Sequence, residues 1–149
     1  MEMLRYKKIL LLLDLTDASE QVAVAGREIA ENSVAEIVVL HVVEFLPMEP
    51  MGDNLLPISP IDDSILDGSR DRLAALAQRT GLKQAKIRVE AGNTKAEILR
   101  VAEQESVDLI VLGSRERHGL AILVNLTEDT VLHAAHCDVL AVRLKPRTP

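Results

Sequence analysis

Aromatic residues are almost missing from this chain of 149 residues: Tyr6 and Phe45 stand alone, and there is no tryptophan. That removes the stacking platforms of single-strand nucleic-acid binders and the aromatic belts of membrane proteins. Cysteine occurs once, at Cys137. A single thiol excludes an internal disulfide framework and suits a reducing compartment. Positive charge is in deficit, with 17 Lys and Arg against 23 Asp and Glu and a net charge of −6. Phosphate backbones require a concentrated basic face, so a general nucleic-acid binder is excluded. Long hydrophobic runs are lacking too. The early apolar run, residues 9–13, stops at Asp14. It falls short of the ~20 residues of a spanning helix and of the ~7–15 residue core of a signal peptide, with no small-residue cleavage site behind it. A cytoplasmic protein without a membrane partner is expected.

What is present is ordinary globular composition, 48% apolar and 27% charged. A chain of this length buries roughly 68–70% of its unfolded surface and needs no staples. No repeat or low-complexity tract marks a boundary, so residues 1–149 are read as one domain.

Four short Val-, Ile- and Leu-rich runs, at 9–13, 37–43, 109–112 and 139–142, do not alternate strictly. Strands covered on both faces of a parallel sheet read this way. A fifth run, 84–90, does alternate: Ala85, Ile87 and Val89 share one face, and Gln84, Lys86, Arg88 and Glu90 the other. It predicts a half-exposed edge strand. Helical periodicity fills the gaps. One helix follows Asp17, with Asp17 or Ser19 as its cap. A second spans 62–79 with Gly81 beyond its end. A third opens on the capping box Thr94-Lys95-Ala96-Glu97, and a fourth begins near Asn125 or Thr127 and runs to about Ala135. The order β-α-β-α-β-α-β-α-β predicts an α/β domain: a parallel sheet wound on both faces by right-handed crossovers. The one long irregular stretch, 45–61, holds Pro47, Pro50, Pro57 and Pro60. Such a stretch is a surface loop or a partner-docking one.

In doubly wound sheets, ligands bind beyond the carboxyl ends of the strands, where the winding reverses. The first strand runs into Asp14, and the fourth into Gly113-Ser114-Arg115-Glu116-Arg117-His118-Gly119. Asp14 at that position either receives ribose hydroxyls or caps a turn. No nucleophile elbow, Walker loop or zinc-protease helix is present. Ser114 has no assignable base, so no catalytic residue is assigned. His133, His136 and Cys137 have metal-ligand chemistry but lack a fourth ligand, and no metal site is expected. Asp62 and Asp63 suit a helix N-terminus and are not read as a catalytic pair.

Along nearly its whole length the chain resembles the universal stress protein family. The matching segments are 6–14 with Asp17 and Ser19, Leu40-His41-Val42-Val43, and Gly92-Asn93 with Ala96-Glu97-Ile98-Leu99. Two more follow: Asp108 to Ser114, and His136 to Val142. The resemblance implies a Rossmann-like, five-stranded parallel sheet of order 3-2-1-4-5, with Asp14 and Gly113 at the switch point. It also implies a homodimer joined through the last strand, Val139, Leu140, Ala141, Val142 and Arg143. Nucleotide-binding members carry Gly, two residues, Gly, nine residues, Gly and then Ser or Thr. Carried over, these positions fall on Gly113, Glu116, Leu126 and Thr127. Two of the three glycines are therefore missing, and the motif is degenerate. Glu116 also adds negative charge where phosphate would sit. Like charges ~4 Å apart repel by about 4 kcal/mol at a surface-type dielectric before screening. The pattern is similar to the universal stress protein A branch, which lacks the complete motif. It implies a stress-response protein acting through protein contacts, with no cofactor and no enzymatic turnover. The alternative is an ATP- or AMP-binding member with Mg and slow hydrolysis or self-phosphorylation. In that case Asp14, Val42, Gly113 and Thr127 would carry the contacts, helped by Arg115 or Arg117. A third reading is an interaction module docking a partner through 45–61. The apolar run 120–124 would fill the vacated cleft, pack on a dimer partner or present a binding patch.

Overall fold

The structure, a computed structural model, describes residues 5–45, 62–115, 131 and 133–145. Its elements are β1 (Lys8–Leu12), α1 (Ser19–Ser33), β2 (Glu36–Glu44), α2 (Asp63–Arg79), β3 (Lys86–Gly92), α3 (Thr94–Gln104), β4 (Leu109–Arg115) and β5 (Asp138–Leu144). The five strands form one sheet in the order β3-β2-β1-β4-β5, and every pair is parallel.

The continuous apolar runs are continuous because both faces of the sheet are covered. Ile9, Leu10 and Leu11 of the central strand are all 0% exposed. Leu11 and Leu13 pack with Val22, Ala23 and Leu73 of α1 and α2. Leu10 packs on the opposite side with Ile98 and Val101 of α3 and with Val131. Gly26 lets α1 sit directly on β1. A Cβ there would lie 2.2 Å from Leu11 Cδ2 and 3.0 Å from its Cγ, which is deep within contact distance. Gly81, at φ +83°, terminates α2 as its position in sequence implied.

Two helix caps differ from expectation. Neither Asp17 nor Ser19 caps α1; the cap position is Ala18, with no side-chain hydrogen bond. Ser19 is already helical and is drawn to Asp14 instead. In α3 the cap is Asn93 rather than Thr94, and its Oδ1 accepts from the Ala96 N–H at 3.0 Å. Asn at this position competes with Thr for the same donors, and the chain uses Asn.

β3 is an edge strand, but its polar face is not simply solvated. It lies under α3 through ion pairs. Glu105, just past α3, receives Lys8 Nζ at 3.0 Å, Lys86 Nζ at 2.7 Å and Arg88 Nη1 at 3.0 Å. Arg88 also pairs with Glu90, and Arg100 with Glu90 and Glu97. Ion pairs thus cover part of the polar side of this half-exposed edge strand. Residues 131, 133 and 134 are helical, in keeping with a final helix ending near Ala135. Its expected start at Asn125 or Thr127 lies outside the described residues, as do residues 46–61 of the proline-rich stretch. Among the described residues, no helix is long and apolar enough to cross a membrane.

Candidate functional site

β1 sits between β2 and β4, so the winding reverses at its carboxyl end. Asp14 lies two residues past β1, and Val42 lies two residues beyond the Leu12–Leu40 pair. Gly113 lies two residues beyond the Leu11–Val111 pair. The topology therefore brings Asp14, Val42 and Gly113 to one end of three adjacent strands. Arg115 is also there as backbone, paired with Leu144 at the end of β4. Glu116, Arg117, His118, the run 120–124, Leu126 and Thr127 lie outside the described residues.

The Asp14 carboxylate closes a small knot. Its Oδ1 accepts from the Thr16 N–H at 3.0 Å, from Thr16 Oγ1 at 2.6 Å and from Ser19 Oγ at 2.6 Å. Ser19 Oγ in turn accepts from the Asp14 N–H at 3.2 Å. The turn this creates puts Leu15 at φ +62°, a conformation most L residues avoid. Arg72 Nη2 reaches the Leu15 carbonyl at 3.4 Å and ties the turn to α2. Ser19 is only 2% exposed, so its two bonds to Asp14 satisfy a buried hydroxyl. Of the two roles open to Asp14 from sequence, turn capping is in place in the geometry.

His41 completes the floor, and sequence reasoning did not single it out as a site residue. Its Nδ1 lies 2.8 Å from the Leu13 carbonyl. A carbonyl only accepts, so Nδ1 carries the proton and donates. The ring thereby fixes the last carbonyl before Asp14. No local spacing announces this contact, because it joins neighbouring strands 28 residues apart.

Gly113 has a packing reason of its own. A Cβ there would lie 2.9 Å from Leu144 Cδ1 and 3.1 Å from Val22 Cγ2. The glycine lets β5 and α1 close together, independently of any phosphate. Val42 is half-buried and belongs to the cluster on the α3 side.

The residues with metal-ligand chemistry do not converge. His133 and His136 are exposed and Cys137 is half-buried. Burial, then the nearby Asp138 and Asp108, push the Cys137 thiol above its ordinary value, the opposite of an activated thiolate. Among the described residues, no group of three or more His, Cys, Asp or Glu could hold a metal ion.

A doubly wound α/β domain with an acid-bearing turn at its switch point is the class these observations define. Comparison with known sequences makes it specific: the chain belongs to the universal stress protein family, whose sequence model matches residues 5–143. Universal stress protein A homolog 2 of Coxiella burnetii is 35% identical over 141 residues, covering 94% of this chain and 97% of that one. Universal stress protein A homolog 1 of the same organism is 32% identical over 143 residues, covering 95% and 99%. Among solved structures, UspA from Lactobacillus plantarum superposes with a TM-score of 0.65 at 26% identity, covering 95% of this chain and 100% of that one. A universal stress protein crystallised in complex with cAMP gives a TM-score of 0.65 at 20% identity, covering 93% and 98%, and speaks to the fold alone.

Proposed function

We propose that this universal stress protein works in the cytoplasm as a homodimer, through contacts with other proteins, without binding or turning over ATP. One observation carries the reading: Asp14 Oδ1 already accepts three donors within 3.0 Å from its own turn. Oδ1 so engaged has little left for a ribose hydroxyl, because each carboxylate oxygen offers about two lone pairs, and a nucleotide would have to use Oδ2 or break this turn. The packing role of Gly113 and the side chains at Glu116 and Leu126 point the same way. The homodimer draws support from β5, which ends the sheet and leaves Leu140 39% exposed.

The second reading is a member that binds ATP or AMP with Mg. It is favoured by the fold shared with the universal stress protein crystallised with cAMP. Asp14, Val42, Gly113 and Thr127 would then hold the nucleotide, helped by Arg115 or Arg117.

Melting with and without millimolar Mg-ATP separates the two. A micromolar site at about 1,000-fold excess adds about 4 kcal/mol of stability. No change in Tm is expected, and a clear upward shift overturns the first reading in favour of the second.

A further inference from the structure

We infer that a hollow at the amino end of the sheet, opposite the switch point, binds a linear aliphatic carboxylate, with Arg27 gripping the carboxylate and Val34 covering the chain. This goes beyond the function proposed above and does not depend on it.

The hollow has a volume of about 690 Å³, within the range of small-ligand sites. Lys8, Glu36 and Lys86, the first residues of β1, β2 and β3, border it, together with the last turns of α1 and residues 81–85 between α2 and β3.

Arg27 is held in place there but not satisfied. Its Nη1 donates to the Thr80 carbonyl at 2.9 Å. Gly81 makes room for the guanidinium, since a Cβ there would lie 3.1 Å from Nη1 and 3.3 Å from Cδ. Nε, however, is buried with no hydrogen-bond partner. Glu31 Oε1 stops 3.7 Å from it, too far for a hydrogen bond. A buried donor left open is uncommon in native proteins. The Nε–Nη2 edge of a guanidinium is also the edge that takes a carboxylate through two parallel bonds. Glu31 is 69% exposed as a side chain and can swing aside for a ligand. Lys83, exposed on the facing loop, adds positive charge to the same hollow. The carboxyl ends of α1 and α2 also lie here, at Val34 and Gly81. Their dipoles oppose anions, so a singly charged carboxylate suits the place better than a doubly charged phosphate.

The remaining surface suits a hydrocarbon chain. Ala30, Ala35, Ile37 and Leu82 are apolar and line the hollow. Val34 stands at its lip, 91% exposed, with φ 55° and ψ 46°. Helices usually place glycine at this left-handed position, and a β-branched residue there is a genuine outlier. Exposure and backbone strain both count against valine for the fold alone, and strain of this kind concentrates at functional sites.

NMR titration with octanoate tests the site, with octanol and acetate as probes that lack the charge or the chain. Octanoate should bind saturably, moving the Arg27 Nε–H resonance and the amides of Val34, Ile37 and Leu82. Octanol and acetate should each bind at least ten-fold more weakly. Arg27→Met, which keeps the stem and loses the guanidinium, should weaken octanoate binding at least ten-fold. Glu31→Gln, which removes the competing carboxylate, should tighten it several-fold. Val34→Gly should raise Tm, because glycine accepts that backbone conformation, yet bind octanoate several-fold more weakly; a merely structural role would not move the two in opposite directions. No saturable shift with octanoate, or shifts confined to other residues, overturns the site. Octanol or acetate binding as tightly as octanoate overturns the assigned ligand class. Unchanged binding by Arg27→Met overturns the role of the guanidinium. Should that variant fail to fold, a Nε–H resonance that octanoate leaves in place, or weaker binding by Glu31→Gln, overturns it equally.

Discussion

Glu105 is where a single substitution is most informative. Lys8, Lys86 and Arg88 converge on a carboxylate that is 7% exposed as a side chain. The Lys86 hydrogen bond, against an opposing cost of burial and with further help from Lys8 and Arg88, lowers its pKa from 4.5 to about 2. Because the folded value is depressed, the stabilisation is complete above the unfolded value of 4.5. It is lost as pH falls through about 2. Without screening, that lowering corresponds to about 3 kcal/mol. Lys86 is 61% exposed, and water damps its share, so on the order of 1–2 kcal/mol is the working figure. Glu105→Gln keeps the shape, removes the charge and leaves three cations facing one another. Urea unfolding of both proteins should show the variant less stable by that amount at pH 7. The gap should narrow below pH 4.5 and lose more than half its size by pH 3. A gap that does not change with pH would mean that the cost is steric. No gap at pH 7 would mean that the three contacts contribute nothing net.

Two further substitutions test the packing and capping arguments. Gly26→Ala would ordinarily stabilise a helix by about 1 kcal/mol. Here the new Cβ meets fully buried Leu11, and overpacking of about 1–3 kcal/mol should outweigh the gain, lowering the urea midpoint; a raised midpoint refutes the close approach of α1 to β1. Asn93→Ala should cost about 1 kcal/mol and Thr94→Ala under about 0.5 kcal/mol, read from the same midpoints. The reverse order would return the cap to Thr94.

The layout of the sheet was legible because buried parallel strands leave a one-dimensional trace. Residues 9–13 and 109–112 read as unbroken apolar runs since helices cover both sides of them. The alternation at 84–90 marked β3 as an edge for the same reason in reverse. The ion pairs on its polar face were not legible, because Glu105 reaches Lys86 and Arg88 across 19 and 17 residues. No short window contains that pairing, and Lys8 lies farther still. The caps failed at the level of a single residue. Ser19 and Thr94 have cap chemistry, but Asp14 claims the first and Asn93 precedes the second. At the site, the carboxyl-end placement of Asp14 and Gly113 followed from topology. The bond from His41 to the Leu13 carbonyl did not, because strand register decides it and composition does not.

The crowding at Gly113 changes what a signature position is worth. Leu144 and Val22 close on it from two sides, so a bulkier residue would be resisted there even in a chain that never meets a nucleotide. A motif search that scores this glycine would therefore credit a phosphate loop with a residue that the joint between β5 and α1 also favours. Diagnostic weight belongs instead to the later positions, 116 and 126, where the chain carries Glu and Leu.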